Sequence, residues 1–298
     1  MPTLPDSIQK PSSIPFIDLA AQQRHIRPAL DQAISAILDH GAYIMGPEIE
    51  KLEKELSAFC GARHTLSCAS GTDALILALL ARDLKPGDVV FVPAFTFVAT
   101  AEAVALLGGI PFFVDVDPET FNLCPQSLKE ALRLAKQKGM KSVGIIPVDL
   151  FGLPADYETI SQIAQDHDLW VIADAAQSFG ATYKSKSVGT LAEITCTSFF
   201  PAKPLGCYGD GGALFTDSDV YKECIVSSRV HGQGKHKYEN IRLGLTGRLD
   251  SIQAAVLLQK LTIFKEESKK RQSIASRYHA LLKDNVLTPV VPEGYTSV

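Results

Sequence analysis

The stretch HTLSCASGTDALILALLARDLKPGDVVFVPAFTFVATAEAVALL, residues 64–107, alternates short apolar runs with segments of helical periodicity. The runs at 64–68 and 89–92 favour strands, whereas 72–81 and 99–107 carry the apolar spacing of helices. Neither run alternates strictly between polar and apolar residues, which is typical of strands covered on both faces. Strand–helix units in succession predict a parallel sheet wrapped by helices.

The same alternation continues on both sides of this stretch. Further strands are predicted at 111–114, 142–147, 169–173, 194–199 and 212–216, with a strand-like stretch within 286–298. Further helices are predicted at 27–40, 48–60, 127–138, 157–167 and, as one long helix, 248–284. We expect an α/β fold with a mostly parallel central sheet flanked by helices. Residues 1–248 form the expected large domain, and 249–298 the long helix and the start of a truncated small C-terminal domain.

The composition is that of an ordinary globular protein. The 298 residues carry a net charge of -4 and 46% hydrophobic residues, so neither nucleic acid nor a membrane is indicated as a partner. Residues 1–15 lack the basic and apolar segments of a signal peptide. The six cysteines form no CxxC pair, and the seven histidines show no HxH or HExxH spacing. We therefore expect reduced thiols, no metal site and a cytoplasmic location.

Ligands of an open parallel sheet bind beyond the carboxyl ends of its strands, so the residues after each strand are the first candidates for a site. The strand at 64–68 is followed by ASGTD, residues 69–73, a small glycine-bearing turn before a helix. Free backbone N–H groups at such a helix start can bind a phosphate. The alternative is an ordinary helix cap, which this turn by itself favours.

Two ionisable residues follow later strands. Asp174 comes directly after the apolar run at 169–173, where a carboxylate needs a cation or hydrogen bonds. Lys203 follows the strand at 194–199 in a segment with few other charges, ahead of the glycine-rich run 209–212. A lysine in such surroundings loses its proton more easily and can attack an aldehyde. Taken singly, Asp174 could equally cap a helix, and Lys203 could be an exposed surface lysine.

The anion-binding turn, the isolated acid and the lysine together indicate one cofactor, pyridoxal 5'-phosphate. This cofactor requires a cradle for its phosphate, an acid at its pyridine nitrogen and a lysine that forms a Schiff base. All three groups follow strands of one predicted sheet, and the carboxyl ends of parallel strands lie at the same edge. The three groups are therefore expected to lie close together.

Eight stretches, in order and spread over nearly the whole chain, carry a family resemblance. They are GAYIMGP (41–47), SGTDAL (70–75), PAFTFVAT (93–100), DVD (115–117), DAAQ (174–177), SFFPAK (198–203), GDGG (209–212) and RLDSIQAA (248–255). In these motifs the chain resembles the DegT/DnrJ/EryC1/StrS family of pyridoxal-phosphate-dependent sugar aminotransferases. The resemblance implies the aspartate-aminotransferase fold and a homodimer whose sites are completed by the partner chain.

The resemblance also implies roles for residues around the cofactor ring. Lys203 would bind the cofactor covalently and later shuttle a proton. Asp174 would keep the pyridine nitrogen protonated, Gln177 would hydrogen-bond the ring hydroxyl, and Phe97 would stack on the ring face. Some family members that act as dehydratases carry histidine at the position of Lys203, so this lysine argues against dehydration.

At the phosphate end, the family implies contacts from the backbone of Gly71 and Thr72 and from the Ser198 hydroxyl. Before the long helix the family usually shows Gly-x-Asn-x-Arg, whose asparagine reaches the phosphate of the neighbouring subunit. Here the stretch is GLTGR, residues 244–248, so Thr246 takes that position with a shorter hydroxyl donor.

The motifs VHGQ (230–233) and RLDSIQAAVLL (248–258) resemble aminotransferases that act on UDP-linked 3-keto-hexuronic acids for bacterial surface polysaccharides such as O-antigen. Glutamate is the expected amino donor. Arg248 is a candidate contact for the sugar carboxylate, and a structural salt bridge is the equal alternative. The loop 229–238, with Arg229 and His231, either faces the nucleotide diphosphate or is a solvated basic loop. The rival functions are a dehydratase-like reaction and a regulatory protein that retains the fold.

Overall fold

The computed structural model describes residues 17–236 and 238–298. Residues 1–16, which include the segment without signal-peptide features, and Lys237 of the loop 229–238 lie outside the described residues. The helices are α1 Leu19–His40, α2 Pro47–Cys60, α3 Gly71–Ala81, α4 Ala99–Leu106, α5 Pro125–Gln137, α6 Tyr157–Asp166, α7 Asp219–Ser228 and α8 Ser251–Leu282. The strands are β1 His64–Cys68, β2 Val89–Pro93, β3 Ile110–Val114, β4 Ser142–Ile145, β5 Trp170–Asp174, β6 Thr182–Tyr183, β7 Lys186–Ser187, β8 Ile194–Ser198 and β9 Gly212–Thr216.

Seven of these strands form one sheet, in the order β1-β9-β8-β5-β4-β2-β3. The pairs β3/β2, β2/β4, β4/β5 and β5/β8 are parallel, and β9 runs antiparallel to both of its neighbours. Six of the seven strands in this sheet therefore point the same way, with β9 as the exception, which confirms the expected mostly parallel sheet. The remaining two strands, β6 and β7, form a short antiparallel hairpin.

Helices cover both faces of the sheet because side chains alternate along each strand. Val90 and Val92 of β2 pack with α3, α4 and α7 on one face. Val89 and Phe91 pack with α5 and α6 on the other. On that second side, Phe215 of β9 packs with α2 and α8 in a further apolar cluster. Each residue of β2 and β5 is buried, as the unbroken apolar runs predicted.

The structure differs from the sequence-based expectations mainly at helices. Helix α1 begins at Leu19 instead of residue 27, because Asp18 caps it by accepting a hydrogen bond from the N–H of Ala21 (2.9 Å). Helix α7 was not predicted, since its exposed face interrupts the apolar pattern. The prediction of a strand-like stretch within 286–298 was wrong: among these residues only Tyr295 forms a β-bridge, to Tyr183.

Helix α8 is the long helix predicted at 248–284, and it is shorter than predicted at both ends. Its first half is buried against α1 and α2, and its second half is largely exposed. The division into domains at residue 248 falls just before this helix and stays a prediction. Within the described ranges, none of the helices is long and apolar enough to span a bilayer.

Candidate active site

The carboxyl ends of β1, β2, β4, β5 and β8 surround a cavity of about 740 Å³. This is the edge of a parallel sheet where ligands bind. The residues lining the cavity come from the connections that follow these five strands, from α8 and from Val298. They include Ser70, Gly71, Thr72, Thr96, Phe97, Thr100, Phe151, Asp174, Gln177, Ser198, Lys203 and Arg271.

The start of α3 forms one end of the cavity. Ser70 caps this helix, since its hydroxyl accepts a hydrogen bond from the N–H of Asp73 (3.0 Å). The ordinary cap is therefore present, and the helix start still presents N–H groups of Gly71 and Thr72 that lack intrahelical acceptors. A Cβ at Gly71 would lie 2.7 Å from the Cβ of Ser198, so a larger residue would push α3 away from β8. The turn thus has the close approach that an anion cradle needs.

Asp174 lies at the end of β5 and is only 6% exposed. Its Oδ2 accepts a hydrogen bond from the hydroxyl of Thr100 (2.8 Å), and its Oδ1 accepts one from the N–H of Ala176 (3.2 Å). Burial raises the pKa of Asp174, whereas these two hydrogen bonds and the charge of Lys203 oppose the rise. A carboxylate held this way is suited to a buried cationic partner.

Lys203 lies in the turn after β8 and lines the same cavity as Asp174. Burial lowers the pKa of Lys203, and the carboxylate of Asp174 partly offsets that effect. A larger fraction of the amine is therefore uncharged near neutral pH than for a surface lysine, which favours attack on an aldehyde.

Gln177 and Phe97 face the cavity from two sides. The Oε1 of Gln177 accepts a hydrogen bond from the N–H of Phe151 (2.8 Å), which leaves the amide N–H groups of Gln177 as its remaining donors. Phe97 is 68% exposed, in a segment between β2 and α4 where Phe95 and Val98 are also exposed. An exposed ring beside a cavity is suited to stacking on a planar ligand.

The remaining predicted site residues lie outside the cavity lining. Arg229 is 4% exposed, and its Nη1 donates to Glu53 Oε1 (2.6 Å) and to the carbonyl of Ser67 (2.8 Å). The structure gives Arg229 a packing role inside the subunit and does not support its expected contact with the nucleotide, because its charge is already paired. His231 and Thr246 are exposed, and their side chains hydrogen-bond each other (2.7 Å).

Arg248 is half-buried at the start of α8. Its Nε atom is buried and has no hydrogen-bond partner among the described residues, so the alternative of a structural salt bridge is not seen there. For Arg248, His231 and Thr246, contact with substrate or cofactor stays a prediction. No group of His, Cys, Asp and Glu within 17–236 and 238–298 is arranged to hold a metal ion.

Sequence reasoning missed Thr100, Phe151 and Arg271, which also line the cavity. A signal existed for Thr100, since it is a polar residue within the apolar helical run 99–107 and is fully buried in the structure. No comparable pattern marked Phe151 or Arg271, because their approach to the cavity depends on how the 150–152 turn and α8 pack.

The chain is similar to known aminotransferases in both sequence and structure. The chain is 49% identical over 286 residues to the UDP-2-acetamido-2-deoxy-3-oxo-D-glucuronate aminotransferase of Pseudomonas aeruginosa, covering 96% of this chain and 78% of that protein. A DegT DnrJ EryC1 StrS aminotransferase structure from Brucella abortus superposes with a TM-score of 0.94 at 47% identity, covering 96% of this chain and 77% of the other.

A third similar protein was solved with a cofactor. The NtdA structure from Bacillus subtilis, with bound cofactor PMP, superposes with a TM-score of 0.86 at 33% identity, covering 93% of this chain and 62% of that one. The sequence model of the DegT/DnrJ/EryC1/StrS aminotransferase family matches residues 24–295. The match spans most of the chain and confirms the resemblance seen in the motifs: this protein belongs to the DegT/DnrJ/EryC1/StrS aminotransferase family.

Proposed function

We propose that this aminotransferase uses pyridoxal 5'-phosphate to move an amino group from glutamate to the keto group of a nucleotide-linked sugar. The proposed acceptor is a UDP-linked 3-keto-hexuronic acid, in the synthesis of bacterial surface polysaccharide. The observation that carries the proposal is that Lys203 and Asp174 line one cavity behind an anion-binding helix start. The acceptor class is supported by the name of the Pseudomonas aeruginosa relative.

The residues present fit this cofactor. At the start of α3, Gly71 approaches Ser198 so closely that a Cβ would clash with it, and this brings the Ser198 hydroxyl next to the N–H groups of the helix start that would hold a phosphate. The buried carboxylate of Asp174 has hydrogen-bond donors on both oxygens but lacks a described ion pair at short range, which suits a cationic ring nitrogen. Lys203 supplies an amine with a lowered pKa on the same cavity wall.

When bound, pyridoxal phosphate supplies an aldehyde and a conjugated ring that accepts the electron pair left when a proton leaves carbon. The Nζ of Lys203 would be the amine that holds this aldehyde, and as a free amine it would be placed to take up and return a proton in the cavity. The carboxylate of Asp174 keeps a proton on the ring nitrogen, because separating that proton from a buried anion is costly.

The positions of the other lining residues support the remaining proposed contacts. The N–H groups of Gly71 and Thr72, with the Ser198 hydroxyl, would hold the phosphate; the Gln177 amide would donate to the ring hydroxyl; and the Phe97 ring would stack on the cofactor. Each of these side chains or backbone groups lies on the cavity wall, so none has to move far to make its contact.

We further propose a homodimer located in the cytoplasm. Thr246 is exposed and lies outside the cavity of its own subunit, which leaves it available for the phosphate contact in the partner's cavity that the family resemblance implies. Arg248, with an unpaired buried Nε, is the proposed contact for the sugar carboxylate.

The decisive experiment is borohydride reduction of the protein reconstituted with pyridoxal 5'-phosphate, followed by peptide mapping. We expect the label on Lys203 and none in Lys203→Ala. Lys260 is an internal control, since it is also buried with a pKa lowered to about 8 but lies against the ring of Tyr208, away from the cavity. A label on Lys260 in preference to Lys203 would show that a lowered pKa, and not the cavity, selects the amine.

The acceptor is tested with the reconstituted protein and glutamate. The visible absorption of the bound cofactor should shift to that of its amino form and return on adding a UDP-linked 3-keto-hexuronic acid. The corresponding 3-hydroxy sugar should give no return. Turnover of the hydroxy sugar would contradict transamination and favour a dehydratase-like reaction.

A further inference from the structure

Asp149 is a fully buried carboxylic acid beside the active site that the proposed reaction does not use directly. It follows β4, is 0% exposed, and is not among the side chains that line the cavity. Burying an acid this completely is costly unless its oxygens are satisfied, so its partners indicate what it holds in place.

Each side-chain partner of Asp149 donates a hydrogen bond to it. Its Oδ1 accepts from the N–H of Ala155 (2.9 Å) and from the hydroxyl of Tyr157 (2.8 Å). Its Oδ2 accepts from the hydroxyl of Ser178 (2.6 Å). Tyr157 begins α6, whereas Ser178 lies in the loop after β5, so the carboxyl group joins two separate parts of the structure.

The loop that Asp149 reaches is the one that carries Asp174 and Gln177. Ser178 directly follows Gln177, and the N–H of Asp149 donates to the carbonyl of Asp174 (3.0 Å). The Gln177 Oε1 in turn accepts from the N–H of Phe151, two residues after Asp149. The connection after β4 and the loop after β5 are therefore linked on both sides of Gln177.

We propose that Asp149 is a positioning residue: its carboxyl group, through Ser178, fixes the loop that presents Asp174 and Gln177 to the cofactor ring. The inference rests on the proposed cofactor function. Burial also raises the pKa of Asp149 to about 7, with the charge of Asp174 acting in the same direction. The two acids therefore lie close enough to influence each other.

Three variants distinguish the effect of the hydrogen bonds made by Asp149 from the effect of its charge. Asp149→Ala removes all three side-chain hydrogen bonds, and Ser178→Ala removes only the one that reaches the loop. Asp149→Asn removes the charge, but its amide oxygen can still accept from Ala155 and Tyr157 while its N–H group donates to the Ser178 oxygen. Asp156→Asn is the matched control, since Asp156 lies in the same connection and contacts Thr159 and Tyr183 instead.

The apoproteins are titrated with pyridoxal 5'-phosphate, following fluorescence of Trp170, the single tryptophan, and the visible band of the bound cofactor. We expect Asp149→Ala and Ser178→Ala to bind about tenfold more weakly, the effect of losing a hydrogen bond to a charged group, and to shift the visible band. Asp149→Asn should stay within about threefold of the parent, and Asp156→Asn should match it.

Parent affinity and an unshifted band in Ser178→Ala would overturn the inference, and this variant decides the matter even if Asp149→Ala fails to fold. Equal losses of affinity for pyridoxal 5'-phosphate in Asp156→Asn and Ser178→Ala would also overturn it, because the effect would then not depend on the contact between Asp149 and the loop. A parent protein that binds no pyridoxal 5'-phosphate would instead contradict the proposed function, so the two failures are distinguishable.

Discussion

Thr100 donates the hydrogen bond that most opposes the rise in the pKa of Asp174 caused by burial. Its hydroxyl is itself fully buried and donates to Asp174 Oδ2, while its oxygen lies 3.0 Å from the hydroxyl of Thr96. A hydrogen bond to the charged form of an acid lowers its pKa, so this contact opposes the rise that burial causes. The proposed cofactor contact needs the ionised form, since only that form attracts a protonated ring nitrogen.

We therefore expect Thr100→Val to weaken binding of pyridoxal 5'-phosphate by roughly tenfold near neutral pH. The loss of affinity on acidification should also begin at a higher pH, because Asp174 becomes protonated more readily. Titrations from about pH 5 to about pH 9 measure both effects. Thr96→Val, which removes only the outer hydroxyl, is the control and should change the affinity far less.

At the scale of elements, an ion pair between the buried Arg229 and the partly buried Glu53 joins α2, β1 and the end of α7. One oxygen of Glu53 accepts from the N–H and the hydroxyl of Ser67 (both 2.8 Å) and from Arg229 (2.6 Å). The carbonyl of Arg229 also accepts from the N–H of Gly247 (3.0 Å). This cluster thus fixes the segment that leads to Thr246 and Arg248.

Arg229→Met should lower the free energy of unfolding of the apoprotein by about 3 kcal/mol, because it leaves the Glu53 carboxylate without its cation. Urea unfolding measures this change. Combining it with Glu53→Gln should recover part of the loss, since neither buried charge then remains. A raised KM for the sugar nucleotide with unchanged stability would instead favour the nucleotide contact that the sequence suggested.

Helices and strands were predictable to different degrees. Strands β1 and β9 were predicted with their bounds, because each is a short run without Asp, Glu, Lys or Arg that is followed by turn residues. Helix α7 escaped prediction because only Ile225, Ser227 and Ser228 are buried along it, which leaves little periodic signal. The start of α1 was missed for a similar reason, since Ile26 is the one buried residue in its first two turns, and the helix start is held by the Asp18 cap.

At the scale of the whole molecule, Asp149 makes the stability of the apoprotein depend on pH. Its folded pKa of about 7 lies above the ordinary value of 3.8, so the folded state binds this proton more tightly than the unfolded state. The stabilisation is complete below the ordinary pKa and is lost as the pH rises through about 7. An asparagine at position 149 does not ionise, so Asp149→Asn does not lose this stability as the pH rises.

We expect the Tm of Asp149→Asn apoprotein, relative to the parent, to increase by a few degrees between about pH 5 and about pH 8. Thermal unfolding without cofactor at several pH values measures the difference, and other titrating groups cancel because both proteins share them. A Tm difference that stays constant or falls with pH would contradict the raised pKa of Asp149.

The sequence by itself determined the sheet, the family and the order in which the cavity residues appear, because each strand–helix unit carries its own apolar pattern and ends at the same edge. Tertiary structure decided which side chains meet there. Thr100 reaches Asp174 across 74 positions, and Asp149 reaches Ser178 across 29. Such contacts depend on strand order and helix packing, which local patterns do not specify, and the same packing turned Arg229 inward to Glu53.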